Sequence, residues 1–180
     1  GFVVGGIDTC EAMCSQVAHQ SGAAVVAIDY RLAPEHKYPA GLEDCMAALR
    51  WLVEHGHTQH LDASRMAVGG DSAGGTLAAI LAVVARDADI PLKLQALFYP
   101  SVQVGVRTES FMTYGRATFL NAELMKWFEN HAQGGHLSER WHREPLHAPD
   151  HRGVAPAWIG LAQCDPLTDD GYLYADKLRA

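Results

Sequence analysis

An α/β fold built on a mostly parallel sheet follows from three features of the 180 residues. Short apolar runs alternate with helical patterns along the chain. Some of those runs are apolar almost throughout, as strands covered on both faces are. Glycine and proline fall at the joints, where helices open and close. Such alternation predicts a parallel sheet with helices on both of its faces.

The elements follow in order. Cys10, Met13, Cys14, Val17 and Ala18 recur at helical spacing. Asp8, with Glu11 three residues on, is expected to cap that helix, and Gly22 to stop it. Ala23 to Ile28 is expected to be a buried strand. Pro39 opens a second helix with Leu42, Cys45, Met46, Leu49 and Leu52 on one face, closed by Gly56. Met66 to Val68 is a short strand, and Ser72 to Arg86 a helix with Leu77, Ile80, Leu81 and Val84 as its stripe. Leu94 to Tyr99 is a further strand, ended by Pro100. Ala157 to Ala162 is another, followed by a helix from about Asp169. Residues 101–154 break the rhythm. Only a helix near Asn121 stands out there, with Leu124, Trp127 and Phe128 on one side. An excursion of that length between strands is expected to form a wall or lid over a site. The whole of 1–180 is expected to be one domain.

Bulk properties narrow the function. Hydrophobic residues make up 48% and charged residues 19%, ordinary for a globular protein. The formal net charge of -7 argues against nucleic acid, whose phosphates need clustered Lys and Arg. The longest apolar stretch, Leu77 to Ala85, is far too short to span a bilayer. Cys10, Cys14, Cys45 and Cys164 show no C-x-x-C spacing and are expected to be small buried hydrophobes. His55, His57 and His60 straddle Gly56 without an acidic or cysteine ligand at a metal-binding spacing, so no metal is expected. The location expected is cytoplasmic.

Chemistry concentrates in Val68-Gly69-Gly70-Asp71-Ser72-Ala73-Gly74-Gly75. This run contains G-x-S-x-G between a strand and an apolar helix, the context a nucleophile elbow requires. The turn is sharp enough to strain the serine backbone, and residues two before and two after should crowd one another. Gly70 and Gly74 answer that demand, with Asp71 and Gly75 completing the elbow. Ser72 would stand at the helix N-terminus, whose dipole favours developing negative charge. A glycine-rich helix start capped by Ser72 is the alternative without chemistry.

The Gly-Asp-Ser-Ala-Gly-Gly run resembles the hormone-sensitive-lipase type of bacterial esterases within the α/β-hydrolase fold. Asp29-Tyr30-Arg31-Leu32-Ala33-Pro34-Glu35-His36, Tyr99-Pro100 and Asp165-Pro166-Leu167 resemble further segments of that family, in its order. The resemblance implies a sheet incomplete at both ends, so the chain is expected to be an internal fragment. It implies that Gly1 is the last glycine of the family's H-G-G-G-F segment. The backbone N–H groups of Gly1 and Ala73 would then form the oxyanion hole. Asp165, after a strand, matches the family's acid. The alternative for Asp165 is a carboxylate serving the next helix dipole, which Asp169 and Asp170 fit better.

A serine needs a base, and in this fold the order is Ser, acid, His. None of the ten histidines follows Asp165, so the base is expected beyond Ala180. The resemblance implies hydrolysis of short to medium acyl esters, a small-molecule ester as partner and no cofactor. Two rivals stay open. The plant gibberellin receptors are similar to this family but have lost the histidine, which would make the chain part of a binding protein. An amidase or lactonase could use the same scaffold. Arg31 and Glu35 are read as structural, with Arg31 paired to Glu43 or Asp44. His131, His136, His142, His147 and His151 are expected at the surface. Glu144-Pro145-Leu146 departs from the family's Ser-Pro-Leu.

Overall fold

The computed structural model describes residues 1–116, 119–134 and 139–180. They form two compact units, one of residues 1–63 with 131–134, the other of the described residues of 64–130 with 139–180.

In the first unit, α1 (Ile7–Ser21) ends at Gly22, whose φ of 68° is the left-handed conformation expected of a glycine stop. The start differs from expectation. Gly6 is the N-cap, and the Thr9 hydroxyl accepts from its N–H at 3.1 Å and donates to its carbonyl at 2.7 Å. Asp8 sits inside the first turn, where its charge suits the helix dipole. The apolar stripe of α1 is not buried: Met13 and Val17 are exposed, and Cys10 and Cys14 are half-buried. The run Ala23 to Ile28 is not a strand, and Val25 and Val26 lie exposed. Apolarity suits a run to a sheet, but a strand exists only through a neighbour's hydrogen bonds. None of the described residues forms a ladder with it.

The helix α2 (Ala40–His55) buries Leu42, Cys45 and Leu49 as its pattern requires. Burial, with Asp44 beside it, pushes the Cys45 thiol up to about 12, so it stays protonated. Arg31 donates from Nε at 2.9 Å and Nη2 at 2.8 Å to the Asp44 carboxylate, and lies 3.7 Å from Glu43. The Arg31 hydrogen bond holds Asp44 below the usual carboxylate range. The structural role expected of Arg31 is therefore observed.

The second unit is a three-stranded parallel sheet in the order β1 (Met66–Asp71), β2 (Leu92–Phe98), β3 (Ala157–Gly160). Val68 pairs with Gln95 and Gln95 with Ala157, while Gly70 pairs with Leu97 and Leu97 with Ile159. That register sends Val68, Leu97 and Ile159 to one face. There they pack with Ala78 and Ala79 of α3 (Ala73–Asp87) and with Tyr174 and Leu178 at the far end of the chain. The helix α3 is buried beyond the single stripe its sequence suggested, with Ala79, Ile80, Val83 and Ala85 all inaccessible. Its alanines allow that close approach on several sides. Among the described residues, the excursion holds two α-helices, α4 (Glu109–Tyr114) and α5 (Ala122–Ala132). Trp127 is exposed, its ring edge-on to Phe128 at 5.3 Å. Among the described residues, no helix is long and apolar enough to cross a membrane.

The last helix, α6 (Thr168–Arg179), carries Asp169 and Asp170 in its first turn, as expected. Asp170 is nevertheless buried. Burial raises its carboxyl to about 6, against the opposing hydrogen bonds from Gln103 and Val102 and with Asp169 nearby. An acid whose folded value lies above its unfolded value binds its proton preferentially in the folded state. The stabilisation from that proton is complete below about pH 4 and is lost as pH rises through 6, amounting to about 3 kcal/mol. Asp170→Asn removes this titration. Denaturant unfolding of the full-length protein should therefore show the variant gaining on wild type between pH 4 and 7. Parallel stability curves across that range would contradict the assignment.

Candidate active site

Two sharp backbone events mark the C-terminal edge of the parallel sheet. At the end of β1, Ser72 has φ 52° and ψ -117°, a conformation that side chains rarely adopt. At the end of β2, Tyr99 has φ 36°. Both are tied to the sheet. Ser72 N–H donates to the Phe98 carbonyl at 2.9 Å, and Tyr99 N–H to the Gly160 carbonyl at 2.7 Å. Strain of this kind persists only where surrounding structure enforces it.

The elbow's glycines enforce it, though not symmetrically. A Cβ on Gly70 would fall on the carbonyl group of Gly74 and lie 2.9 Å from its Cα. A Cβ on Gly75 would lie 3.0 Å from Pro100 Cβ. A Cβ on Gly74 would meet only Asp71 Oδ1, at 3.8 Å. The expectation that both residues flanking the serine must lack a side chain therefore holds for Gly70 alone. Gly74 supplies the backbone that Gly70 must clear, and Gly75 is the second position with no spare room.

Ser72 precedes α3 as its N-cap residue, yet its side chain makes no capping hydrogen bond. A capping serine needs extended backbone angles, which Ser72 does not have. The capping alternative is thus removed, and the hydroxyl is half-buried at the sheet edge. Ala73 is the first residue of α3, so its N–H has no intrahelical acceptor and points from the positive end of the helix dipole. Gly1 belongs to the first unit, where its carbonyl accepts from the Tyr30 hydroxyl at 3.1 Å.

Asp165 lies in the turn leaving β3, before α6 rather than in its first turn. One carboxylate oxygen accepts from Leu167 N–H at 2.7 Å. Its carbonyl accepts from Thr168 N–H at 3.1 Å and from the Thr168 hydroxyl at 2.8 Å. The turn is therefore closed on itself with the carboxylate fixed. Ser72 and Asp165 leave the same end of the sheet, one strand apart, where ligands of open α/β sheets bind. Tyr99 sits between these turns in the strand order. Burial, then Asp71 and Asp165, raise its phenol. The sequence showed Tyr99 as a strand end and as part of the family-like Tyr99-Pro100, without its backbone strain. Its positive φ leaves no signature in the residue type.

Other candidates fall elsewhere. Cys164 is exposed, not buried as expected, because it stands in the Asp165 turn. His151 is not a free surface group: its Nε2 contacts the Pro145 carbonyl at 2.9 Å, and its ring packs edge-on to Tyr174. His136 lies outside the described residues. Glu144 accepts from Arg140 at 2.7 Å and from Val104 N–H at 3.3 Å. Burial raises the Glu144 carboxyl, but the Arg140 and Val104 hydrogen bonds outweigh it and leave the net value lowered. The residue that departs from the resembled family is therefore a clamp on the loop after β2.

The asymmetry of the elbow is testable. Gly70→Ala should yield no stable protein, since backbone would have to move. Gly74→Ala should fold with a stability within about 1 kcal/mol of wild type, helped by the helix preference of alanine over glycine. Expression yield and denaturant midpoints check both, and a destabilised Gly74→Ala beside a tolerant Gly70→Ala would refute the geometry.

Comparison with known proteins adds an independent line. A family model described as the alpha/beta hydrolase fold matches residues 1–180. The carboxylesterase NlhH of Mycobacterium tuberculosis is 41% identical, over 100% of this chain and 58% of that protein. An ethyl acetate hydrolase of Pseudomonas putida is 38% identical, over 99% of this chain and 57% of its own length. The crystal structure of EstE1, a thermostable carboxylesterase from a metagenomic library, superposes with a TM-score of 0.91 at 40% identity. It covers 99% of this chain and 62% of its own. The chain thus spans less than two thirds of the relatives it matches, and it belongs to the α/β-hydrolase fold family.

Proposed function

We propose that this chain carries the nucleophile and the acid of a serine carboxylic-ester hydrolase. The observation that carries the reading is Ser72, held at φ 52° by the Gly70–Gly74 contact at the C-terminal sheet edge that also bears Asp165. The relatives named as carboxylesterase and ethyl acetate hydrolase support it.

In this reading Ser72 Oγ attacks the ester carbonyl carbon while its proton passes to a histidine base, to which no residue of this chain is assigned. The Ala73 N–H, at the start of α3, donates to the oxyanion as the C=O bond becomes single. Collapse of the tetrahedral adduct expels the alcohol, protonated by the imidazolium, and leaves an acyl-Ser72. Water, deprotonated by the same base, then releases the acid and restores the serine. Asp165 orients the histidine and stabilises its charged form. Short to medium acyl esters are the substrate class, consistent with the name of the Pseudomonas relative. The reading includes a small-molecule partner, no nucleic acid and a cytoplasmic setting, and takes 1–180 as part of one hydrolase domain.

The test is hydrolysis of a short-chain aryl ester by the full-length protein. Ser72→Ala should lower kcat by about 10⁴-fold or more, and Asp165→Asn by about 10³–10⁴-fold. A Ser72→Ala variant within threefold of wild type would refute the assignment. A well-folded wild type with no turnover of ester, amide or lactone would favour a binding protein instead.

A further inference from the structure

The carboxylate of Asp170 and the hydroxyl of Ser110 take no part in the reaction described above, yet both are buried and fully engaged. Asp170 Oδ2 accepts from Val102 N–H at 3.0 Å, and Oδ1 from Gln103 Nε2 at 3.1 Å. The same loop is held from the other side by the nucleophile's helix. The Thr76 hydroxyl donates to the Ser101 carbonyl at 2.6 Å, and Thr76 N–H to the Ser72 carbonyl at 3.0 Å. Residues 101–103 are thus gripped at one end by α3, one turn from Ser72, and at the other by α6, one turn past Asp165.

Ser110 holds the acid turn a second time. Its hydroxyl donates to the Pro166 carbonyl at 3.0 Å and accepts from Asp169 N–H at 3.1 Å, while its own N–H donates to Asp169 Oδ2 at 2.8 Å. Between them, Asp170 and Ser110 fix the segment 165–170 against the loop at 102–103 and the first turn of α4, both distant in sequence. A buried carboxylate is costly unless it is hydrogen-bonded, and its raised value shows that cost. An apolar residue would fill the space but could not receive Val102 and Gln103. What the carboxylate provides here is a pair of acceptors that tie the loop at 102–103 to α6.

Resting on the hydrolase reading above, we infer that Asp170 and Ser110 are positioning residues that hold the Asp165 turn in register with the Ser72 elbow. They act through Asp165 and touch no substrate. Misplacement of a triad member by an ångström costs rate more than binding, so their loss should appear in kcat.

A double-mutant cycle in the full-length protein decides the matter. Asp170→Ala and Ser110→Ala should each lower kcat for an aryl ester at least tenfold, with KM within threefold of wild type. In an Asp165→Asn background the same changes should alter the residual rate less than threefold, because the turn then positions nothing. Ser110→Ala keeps its backbone donor to Asp169, so it carries the test if Asp170→Ala fails to fold. Equal losses in both backgrounds would mark the pair as merely structural and overturn the inference. Wild-type rates in both variants, beside an inactive Ser72→Ala, would overturn it too and leave the hydrolase reading intact.

Discussion

Between the end of β1 and the start of α3 the chain reverses so tightly that a methyl group on Gly70 would fall on the carbonyl of Gly74. Everything else at the sheet edge depends on that contact. It holds Ser72 at φ 52° and ψ -117°, a backbone that neither strand nor helix uses. It leaves the N–H of Ala73, the first residue of α3, without an intrahelical acceptor next to Ser72. It also lets the α3 alanines settle against β1 and β2, so that the elbow rests on the best-buried part of the unit, around Ala79, Leu97 and Val102. A strained turn needs a rigid base, and the packing directly beneath Ser72 supplies it.

The Asp165 turn is built differently. Asp165 is held by polar groups rather than by steric exclusion, through a closed turn and two buried clamps. A turn fixed by hydrogen bonds can be displaced by one substitution, whereas the elbow yields only to backbone movement. The two halves of the site should therefore differ in their tolerance of mutation, although both leave the same end of the sheet. Tyr99 shares that edge with its own positive φ, so the C-terminal ends of β1 and β2 are both strained and that of β3 is not.

Features that depend on local sterics were legible in the sequence. The crowding at Gly70, the Gly22 stop and the β1–α3–β2 alternation needed no partner from afar, and each is found, with element ends shifted by one to three residues. Asp165 was singled out by the family-like Asp165-Pro166-Leu167 segment, and the structure places it in the turn between β3 and α6; its role as the acid belongs to the proposal. Features decided by distant contacts were not. Asp169 and Asp170 read alike as acidic residues at a helix start. What separates them is a loop 68 residues away whose Val102 N–H reaches Asp170. Ser110 gave no signal at all. Ala23 to Ile28 has strand composition, but hydrogen-bonded pairing is a property of neighbours, and among the described residues it has none. The crowding rule assigned to Gly74 failed because it named the contact without saying which residue's missing Cβ makes room for it.

The most direct test of the central claim is to react the full-length protein with an aryl phosphonate ester and map the adduct by mass spectrometry. An activated elbow serine displaces the aryl alcohol and keeps the phosphonyl group. The account predicts one equivalent of phosphonate on Ser72, with loss of esterase activity in step with labelling. Ester hydrolysis that survives complete labelling of Ser72, or a phosphonate carried on another residue, would contradict it.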